Sequence, residues 1–379
     1  MEANTALKKT ALHEAARKAG ARMVPFAGWE MALQYEGLLE EHKAVRQSCG
    51  MFDISHMGVL RMRGRGVKDA LQQLVPTDLF RIGTSEACYT VLLNESGGIL
   101  DDLIIYDRGW NEEEQTHELL LIVNAACTTN DMAWISGELG TEDITIEDHK
   151  KDGCLIAVQG PDSATHLEEL LGSTLRGLPQ FGHQQLAIPS IGEAVMARTG
   201  YTGEDGFEIL LGRDAGIKLW ETLIRKGIQP CGLGARDILR LEAGMHLYGQ
   251  DMDSETTPLD AGLGWLVHLE MPKEFRGRNA LEKQTQTGAR TRQIGFRLEG
   301  KAIPRTGYPI YERDSGGHEK EIGRVTSGGW SPVLQKGIGL GLIENGCSKS
   351  GSTISVEVRG KRFEATIHRK NILKQLKGG

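Results

Sequence analysis

Four stretches of the chain combine reactive side chains at spacings that packing alone does not call for. In GGILDDLIIY (97–106), two adjacent carboxylates, Asp101 and Asp102, interrupt a run of apolar and β-branched residues. YTVLLNES precedes the Gly-Gly pair, so the segment reads as the second arm of a β-hairpin. Side chains alternate faces along a strand: Ile99, Asp101, Leu103 and Ile105 share one face, and Leu100, Asp102, Ile104 and Tyr106 share the other. Whichever face is buried carries an aspartate, and a buried carboxylate is costly unless something pairs with it. An isolated Asp-Asp pair is usually solvated. In this strand, a functional role and a structural one carry equal weight.

RTGYTGEDGFEILL (198–211) places Gly200, Gly203 and Gly206 in what reads as a tight, backbone-exposed turn. Tyr201 offers a flat face, and Glu204, Asp205 and Glu208 offer carboxylates. Glu208 follows Phe207 at the start of a strand, where a core residue is expected. A carboxylate there accepts two hydrogen bonds from a planar heterocycle with adjacent N–H donors; the bland alternative is a GEDG turn with surface acids. In CGLGARDILRLEAGMHLYGQDMD (231–253), Arg236 and Arg240 stand four apart on a predicted helix. Two guanidinium groups on one face suit bidentate capture of an acidic group, or an internal salt-bridge set with Asp237 and Glu242. VPFAGWEMALQY (24–35) and MFDISHMG (51–58) supply Phe26, Trp29, Met31, Met51, Phe52 and Met57 as adaptable apolar surface. His56 titrates near neutral pH, or is a structural histidine. TSGGWSP (326–332) predicts a turn or a ligand wall. Together these residues imply a flat, polar, carboxylate-bearing ligand, read at its ring by acids and at its tail by arginine. The chemistry would rest on positioning and one carboxylate.

The elements that must hold these residues are legible in outline. Strands are expected over 87–93, 99–106, 118–124, 154–158, 194–198 and 207–211. Helices are expected over 37–48, 128–139 and 214–226, the last capped by Asp214, striped by Ile217, Trp220, Leu223 and Ile224, and stopped by Gly227. An N-terminal amphipathic helix ends at Gly20. Hairpin spacing outweighs β-α-β alternation, which predicts an α+β fold with antiparallel sheets. From about residue 290, short strands and Gly-rich turns repeat with almost no helix, as in a small β-barrel or sandwich.

At 379 residues the chain exceeds one compact core. A net charge of −7, without a basic stripe, argues against nucleic acid. Lys and Arg do gather at 361–377, as a solvated strand and tail or as a docking patch for an acidic partner. The six cysteines form no CxxC pair and the eleven histidines no HExxH, so neither a disulfide framework nor a metal site is expected. No apolar run reaches membrane-spanning length, and the N-terminus lacks the apolar core of a signal peptide.

FAGWEMALQY, FDISHMG, GGILDDLIIY, AVQGP, RTGYTGEDGFE, PCGLGARDILRLEAGMHLYGQDMD, TTPLDAGLGW and GRVTSGGWSP together resemble the T-protein family of the glycine cleavage system, in that family's order and nearly end to end. The resemblance implies three domains around a central folate cleft: 1–53 with 154–258, an inserted 54–153, and a C-terminal β-barrel or jelly-roll-like 259–379. It implies an aminomethyltransferase in which N5 of tetrahydrofolate attacks the methylene of an S-aminomethyl-dihydrolipoyl arm on H-protein, giving 5,10-methylenetetrahydrofolate, ammonia and dihydrolipoyl H-protein. P- and L-proteins belong to the same system, no metal is used, and a cytoplasmic location is expected. The family's essential aspartate corresponds to Asp102, which would be the inward residue, facing ligand rather than core. Glu208 resembles the glutamate that reads the pterin ring and Arg236 the arginine contacting folate. Tyr201, Tyr248, Asn124 and Met57 are further folate-binding candidates. Animal members use a tyrosine near the C-terminus; HRKNILKQLKGG has none, leaving Arg369 or Lys370 for that role. Three rival readings leave different marks in a sequence. An iron–sulfur-assembly paralogue would carry the cysteine of KGCYxGQE, which AGMHLYGQD lacks. A folate-using flavoenzyme would carry a GxGxxG-bearing FAD domain, which is missing. A non-enzymatic folate-binding scaffold is separated only by experiment.

Overall fold

The computed structural model describes residues 6–139, 143–313 and 318–368. It is a mixed α+β chain that divides into two compact units. One comprises Met1–Leu71, Leu79–Tyr89 and Leu103–Asp237; the other comprises Gln72–Asp78, Thr90–Asp102 and Ile238–Gly379.

The first unit contains a six-stranded sheet in the order His183–Ile188, Gly192–Ala197, Gly206–Leu211, Cys154–Gln159, Gly50–Asp53, Gln229–Cys231. All its pairings are antiparallel except that of Gln229–Cys231 with Gly50–Asp53. Its core gathers Met51, Ile156, Val158, Phe207, Ile209, Trp220 and Leu223. The helix Arg213–Arg225 supplies Gly216, Leu219, Trp220 and Leu223, an i, i+3, i+4, i+7 stripe; Ile224, expected within it, is exposed. Asp214 is not the cap either. The cap position is Gly212, which offers no side chain, and Asp214 stands in the first turn, where a carboxylate suits the helix dipole. Gly216 lets the helix touch the sheet: a Cβ there would lie 2.3 Å from Cys154 Sγ.

A five-stranded sheet follows the order Ala87–Leu93, Ile99–Asn111, Thr116–Val123, Gly58–Gly64, Thr145–Asp148. The boundary between the two units falls within its second strand, between Asp102 and Leu103. Thr291–Leu298, Lys336–Glu344, Glu319–Ser331, Pro309–Arg313, Thr353–Val358 and Lys361–His368 close a six-stranded barrel. Phe296, Ile310, Val325, Ile343, Val356 and Ile367 fill it.

The N-terminal helix is short, His13–Lys18, and Gly20, at φ +85°, follows its end. The amide of Lys8 donates to the Gly28 carbonyl, the Lys8 carbonyl accepts from Glu30, and Thr10 Oγ1 donates to Asp53, so tertiary partners take the groups a longer helix would use. FAGWEMALQY, read only as apolar surface, is a hairpin: Arg22–Phe26 pairs with Trp29–Gln34 across Ala27 and Gly28, both at positive φ, as a type I′ turn requires.

Candidate active site

The hairpin carrying Asp101 and Asp102 depends on two different glycines. Gly97 has φ +80°, while a Cβ on Gly98 would lie 1.8 Å from the Ser254 carbonyl oxygen. Asn94 Oδ1 accepts from the amides of Ser96 and Gly98, closing the turn. Along the following strand, Ile99, Asp101, Leu103 and Ile105 are buried, and Leu100, Asp102 and Ile104 are half-buried. The inward aspartate is therefore Asp101, fully buried, and Asp102 lies on the more open face. This corrects the expectation that Asp102 is the inward carboxylate; Asp102 is half-buried. The Tyr248 hydroxyl donates to the Ile99 carbonyl at 3.3 Å, three residues before Asp102 in the same unit.

The other unit brings together Tyr201, Glu208 and Arg236. Glu208 occupies the third position of the strand Gly206–Leu211 and is 8% exposed. Thr199 Oγ1 donates to its Oε2 at 2.8 Å. Burial pushes the Glu208 carboxyl up from the usual carboxylate range, opposed by the nearby Arg236 guanidinium and the Thr199 bond. Arg236, near the start of the helix Leu233–Glu242, stacks its guanidinium 4.7 Å from the Tyr201 ring centroid. Burial lowers its pKa, while Glu208 and Tyr201 support its charge. Among the described residues, its buried Nη1 has no hydrogen-bond partner. A buried cation of this kind wants an acceptor.

His56 is also buried, with Nδ1 unpartnered among the described residues and its ring edge-on to Phe26 at 5.6 Å. Burial, then the Arg236 and Lys150 charges, push its pKa down to about 3, so the ring is neutral. Lys150 holds the adjoining turn by donating to the Ser55 and Met57 carbonyls, and burial pushes its pKa down to about 8. Met57 is thereby fixed and half-buried. Asn124 is half-buried at the end of the strand Thr116–Val123, where its carbonyl accepts from Cys127 and Thr128 as the next helix begins.

Other expected contacts turn out to be structural. Arg240 finds an acidic partner that its helix spacing did not name: Nη1 donates to Asp251 Oδ2 at 2.6 Å, both side chains being almost wholly buried. Glu204 pairs with Arg46, and Asp205 takes two bonds from Arg198. Gly200 and Gly206 are not exposed-backbone glycines. They make room for buried Gln159, whose amide atoms would lie 1.9 and 2.4 Å from a Cβ on each. TSGGWSP is not a turn: it is strand as far as Ser331, with Ser327 on Arg240 and Ser331 on Glu242. Within the basic C-terminal stretch, Arg362 pairs with Glu357 and Glu319 and covers Tyr311. Arg369 and Lys370 lie outside the described residues. Thr199, Tyr106 and Lys150 were not singled out from sequence. Thr199 does lie inside the quoted motif RTGYTGEDGFEILL, and Tyr106 lies within the Asp-Asp strand.

Among the described residues, no helix is long and apolar enough to cross a membrane. The GCVT N-terminal domain matches residues 12–271, and the glycine cleavage T-protein C-terminal barrel domain matches residues 291–374. An aminomethyltransferase of Prochlorococcus marinus (strain MIT 9313) is 54% identical over 366 residues, covering 95% of this chain and 96% of that one. One from Synechococcus sp. (strain CC9902) is 55% identical over 368 residues, covering 97% and 99%. The crystal structure of glycine cleavage system aminomethyltransferase T from Bartonella henselae superposes with a TM-score of 0.87 at 32% identity, covering 97% of this chain and 99% of that one. With both halves of its sequence, its barrel and its end-to-end relatives in agreement, this chain belongs to the glycine cleavage T-protein family of aminomethyltransferases.

Proposed function

We propose that this chain transfers the methylene of S-aminomethyl-dihydrolipoyl H-protein to tetrahydrofolate, releasing 5,10-methylenetetrahydrofolate, ammonium and dihydrolipoyl H-protein. The observation that carries this reading is the buried Glu208 beside an unpartnered Arg236 nitrogen and the flat face of Tyr201. That set fits a planar, donor-bearing ring with an acidic tail. The methylene exchanges its bonds to sulfur and ammonium nitrogen for bonds to N5 and N10 of the folate, and the two displaced protons end on the thiolate and the departing amine.

In this reading, Glu208 accepts hydrogen bonds from ring N–H groups, which requires it ionised; Arg236 keeps it so and offers its free donor. Tyr201 holds the ring flat. Asp102, on the half-open face of its strand, orients the pterin, takes up a proton or stabilises developing positive charge at the methylene. Met57, Asn124 and Tyr248 complete the folate contacts. Holding two reactants in register supplies about 7 kcal/mol or more of the barrier reduction. Sheets drawn separately from 50–53 with 154–231, from 58–148, and from 291–368 support a division into 1–53 with 154–258, 54–153 and 259–379. Lipoylated H-protein is the direct partner, P- and L-proteins act in the same system, and the location is cytoplasmic.

The test is methylenetetrahydrofolate formation from tetrahydrofolate and aminomethyl-loaded H-protein, with Asp102→Asn alongside. Turnover by the wild type, lost in the variant while folate still binds, is the expected result. Folate binding without turnover in the wild type would favour a non-catalytic folate-binding role.

A further inference from the structure

Glu208 is held by a chain of buried hydroxyl groups. Thr199 Oγ1 lies 2.8 Å from Glu208 Oε2 and 3.3 Å from the Tyr106 hydroxyl. All three side chains are buried. A threonine hydroxyl has one proton. Given to the carboxylate, it leaves Thr199 only an acceptor toward Tyr106, so the chain runs in one direction: Tyr106 donates to Thr199, and Thr199 donates to Glu208. Burial and the Glu208 charge push the Tyr106 phenol far above its ordinary pKa, so it keeps the proton it must donate.

Thr199 is itself anchored. The amide of buried Gln159 donates to the Thr199 carbonyl at 3.0 Å, and Thr202 Oγ1 donates to the other end of that amide at 2.9 Å. The missing Cβ at Gly200 is what admits Gln159 there. The Tyr106 ring stands edge-on to His183 at 5.3 Å, and the His183 ring meets the Asp107 carbonyl at 3.1 Å.

From this geometry we infer that Thr199 is a positioning residue for the proposed ligand-reading carboxylate: its hydroxyl fixes the rotation of the Glu208 carboxylate, occupies one acceptor site of Oε2, and holds the group in the ionised, acceptor-only form. The inference rests on the folate reading of Glu208. Among the described residues, the charged and titratable groups acting on that carboxylate are Arg236 from its helix and Tyr106 from its strand, with Tyr201 from the turn stacked on Arg236. Only Arg236 supplies a positive charge among them, so the hydroxyl chain supplies the remaining support.

The test measures tetrahydrofolate binding to the full chain, without oxygen, from about pH 5 to 8.5, for wild type, Thr199→Val, Thr199→Ser, Tyr106→Phe and Glu208→Gln. Valine keeps the shape of threonine and removes the hydroxyl. The expected result is about tenfold weaker binding for Thr199→Val at neutral pH. The pH below which affinity is lost should also move up by about one unit. Thr199→Ser should recover both, and Tyr106→Phe should shift both in the same direction by less. Binding by Thr199→Val with wild-type affinity and pH dependence would overturn the inference, as would equal losses in the Val and Ser variants. The underlying reading fails in a different way: unchanged binding in Glu208→Gln removes the carboxylate from the site and takes the inference with it.

Discussion

Replacing Arg240 by methionine decides whether the second arginine of the helix belongs to a ligand or to the fold. Its Nη1 donates to Asp251 Oδ2 at 2.6 Å and to the Met245 carbonyl at 3.1 Å, and its Nη2 donates to Ser327 Oγ at 2.9 Å. Asp251 is 1% exposed and also accepts from the Leu247 amide, Thr326 Oγ1 and Ser327 Oγ. Arg240→Met removes the only cation bonded to that carboxylate among the described residues and leaves the aspartate in place. Breaking a buried pair from one side costs about 3–5 kcal/mol, because the remaining charge stays buried without its partner. Three neutral donors remain on Asp251, which places the expected loss near the lower figure, about 3 kcal/mol. Urea unfolding monitored by circular dichroism should show the midpoint falling by about 1 M for a slope near 3 kcal/mol/M. A double variant, Arg240→Met with Asp251→Leu, should recover part of the loss, because no charge is then stranded. Methionine and wild-type unfolding curves that coincide, combined with lost folate affinity, would refute this reasoning and return Arg240 to the ligand.

Glu208→Gln should weaken folate binding roughly 10- to 100-fold and remove the Glu208 contribution to the pH dependence of stability, at the cost of leaving the buried Arg236 charge without that carboxylate. The folded-state pKa of Glu208 is raised, so protonation favours the native state at low pH; that advantage is lost as pH rises through the raised pKa, where the buried charge becomes a cost that glutamine does not carry. Thermal unfolding at two pH values checks it. His56 has the opposite bearing: its folded pKa is lowered to about 3, so between about pH 6.5 and 3 the unfolded chain binds a proton that the native state does not. Stability should fall with pH across that window by up to about 1.4 kcal/mol per unit, His56→Ala should flatten the fall, and turnover should be retained. Gly98→Ala should destabilise the chain by about 1–3 kcal/mol and lower turnover although Asp102 is untouched, since the new Cβ collides with the Ser254 carbonyl. Unfolding midpoints measured beside methylenetetrahydrofolate formation would show it.

The sequence by itself determined the elements whose signals are local. Short strands and Gly-rich turns announced the barrel from about residue 290, the Asp-Asp arm starts at Ile99 as expected, and Gly227 at φ +83° stops its helix as expected. The motif RTGYTGEDGFE offered Glu208 as a candidate, and the GARDILRLEAG helix offered Arg236 and Arg240. Tertiary structure decided what local periodicity cannot express. Alternation demanded that one of Asp101 and Asp102 face inward but could not say which, because that depends on which side of the sheet is covered. Arg236 and Arg240 share a helix face by spacing, yet they part company: one stacks on Tyr201, and the other enters a buried pair with Asp251, a partner that only the folded chain delivers. The N-terminal helix starts only at His13 because Lys8 and Thr10 found distant hydrogen-bond partners. Thr199 and Tyr106 are 93 residues apart and carry no motif of their own. Their link to Glu208 exists only where strands from distant parts of the chain bring three buried polar groups within hydrogen-bonding reach, leaving each no solvent to turn to instead.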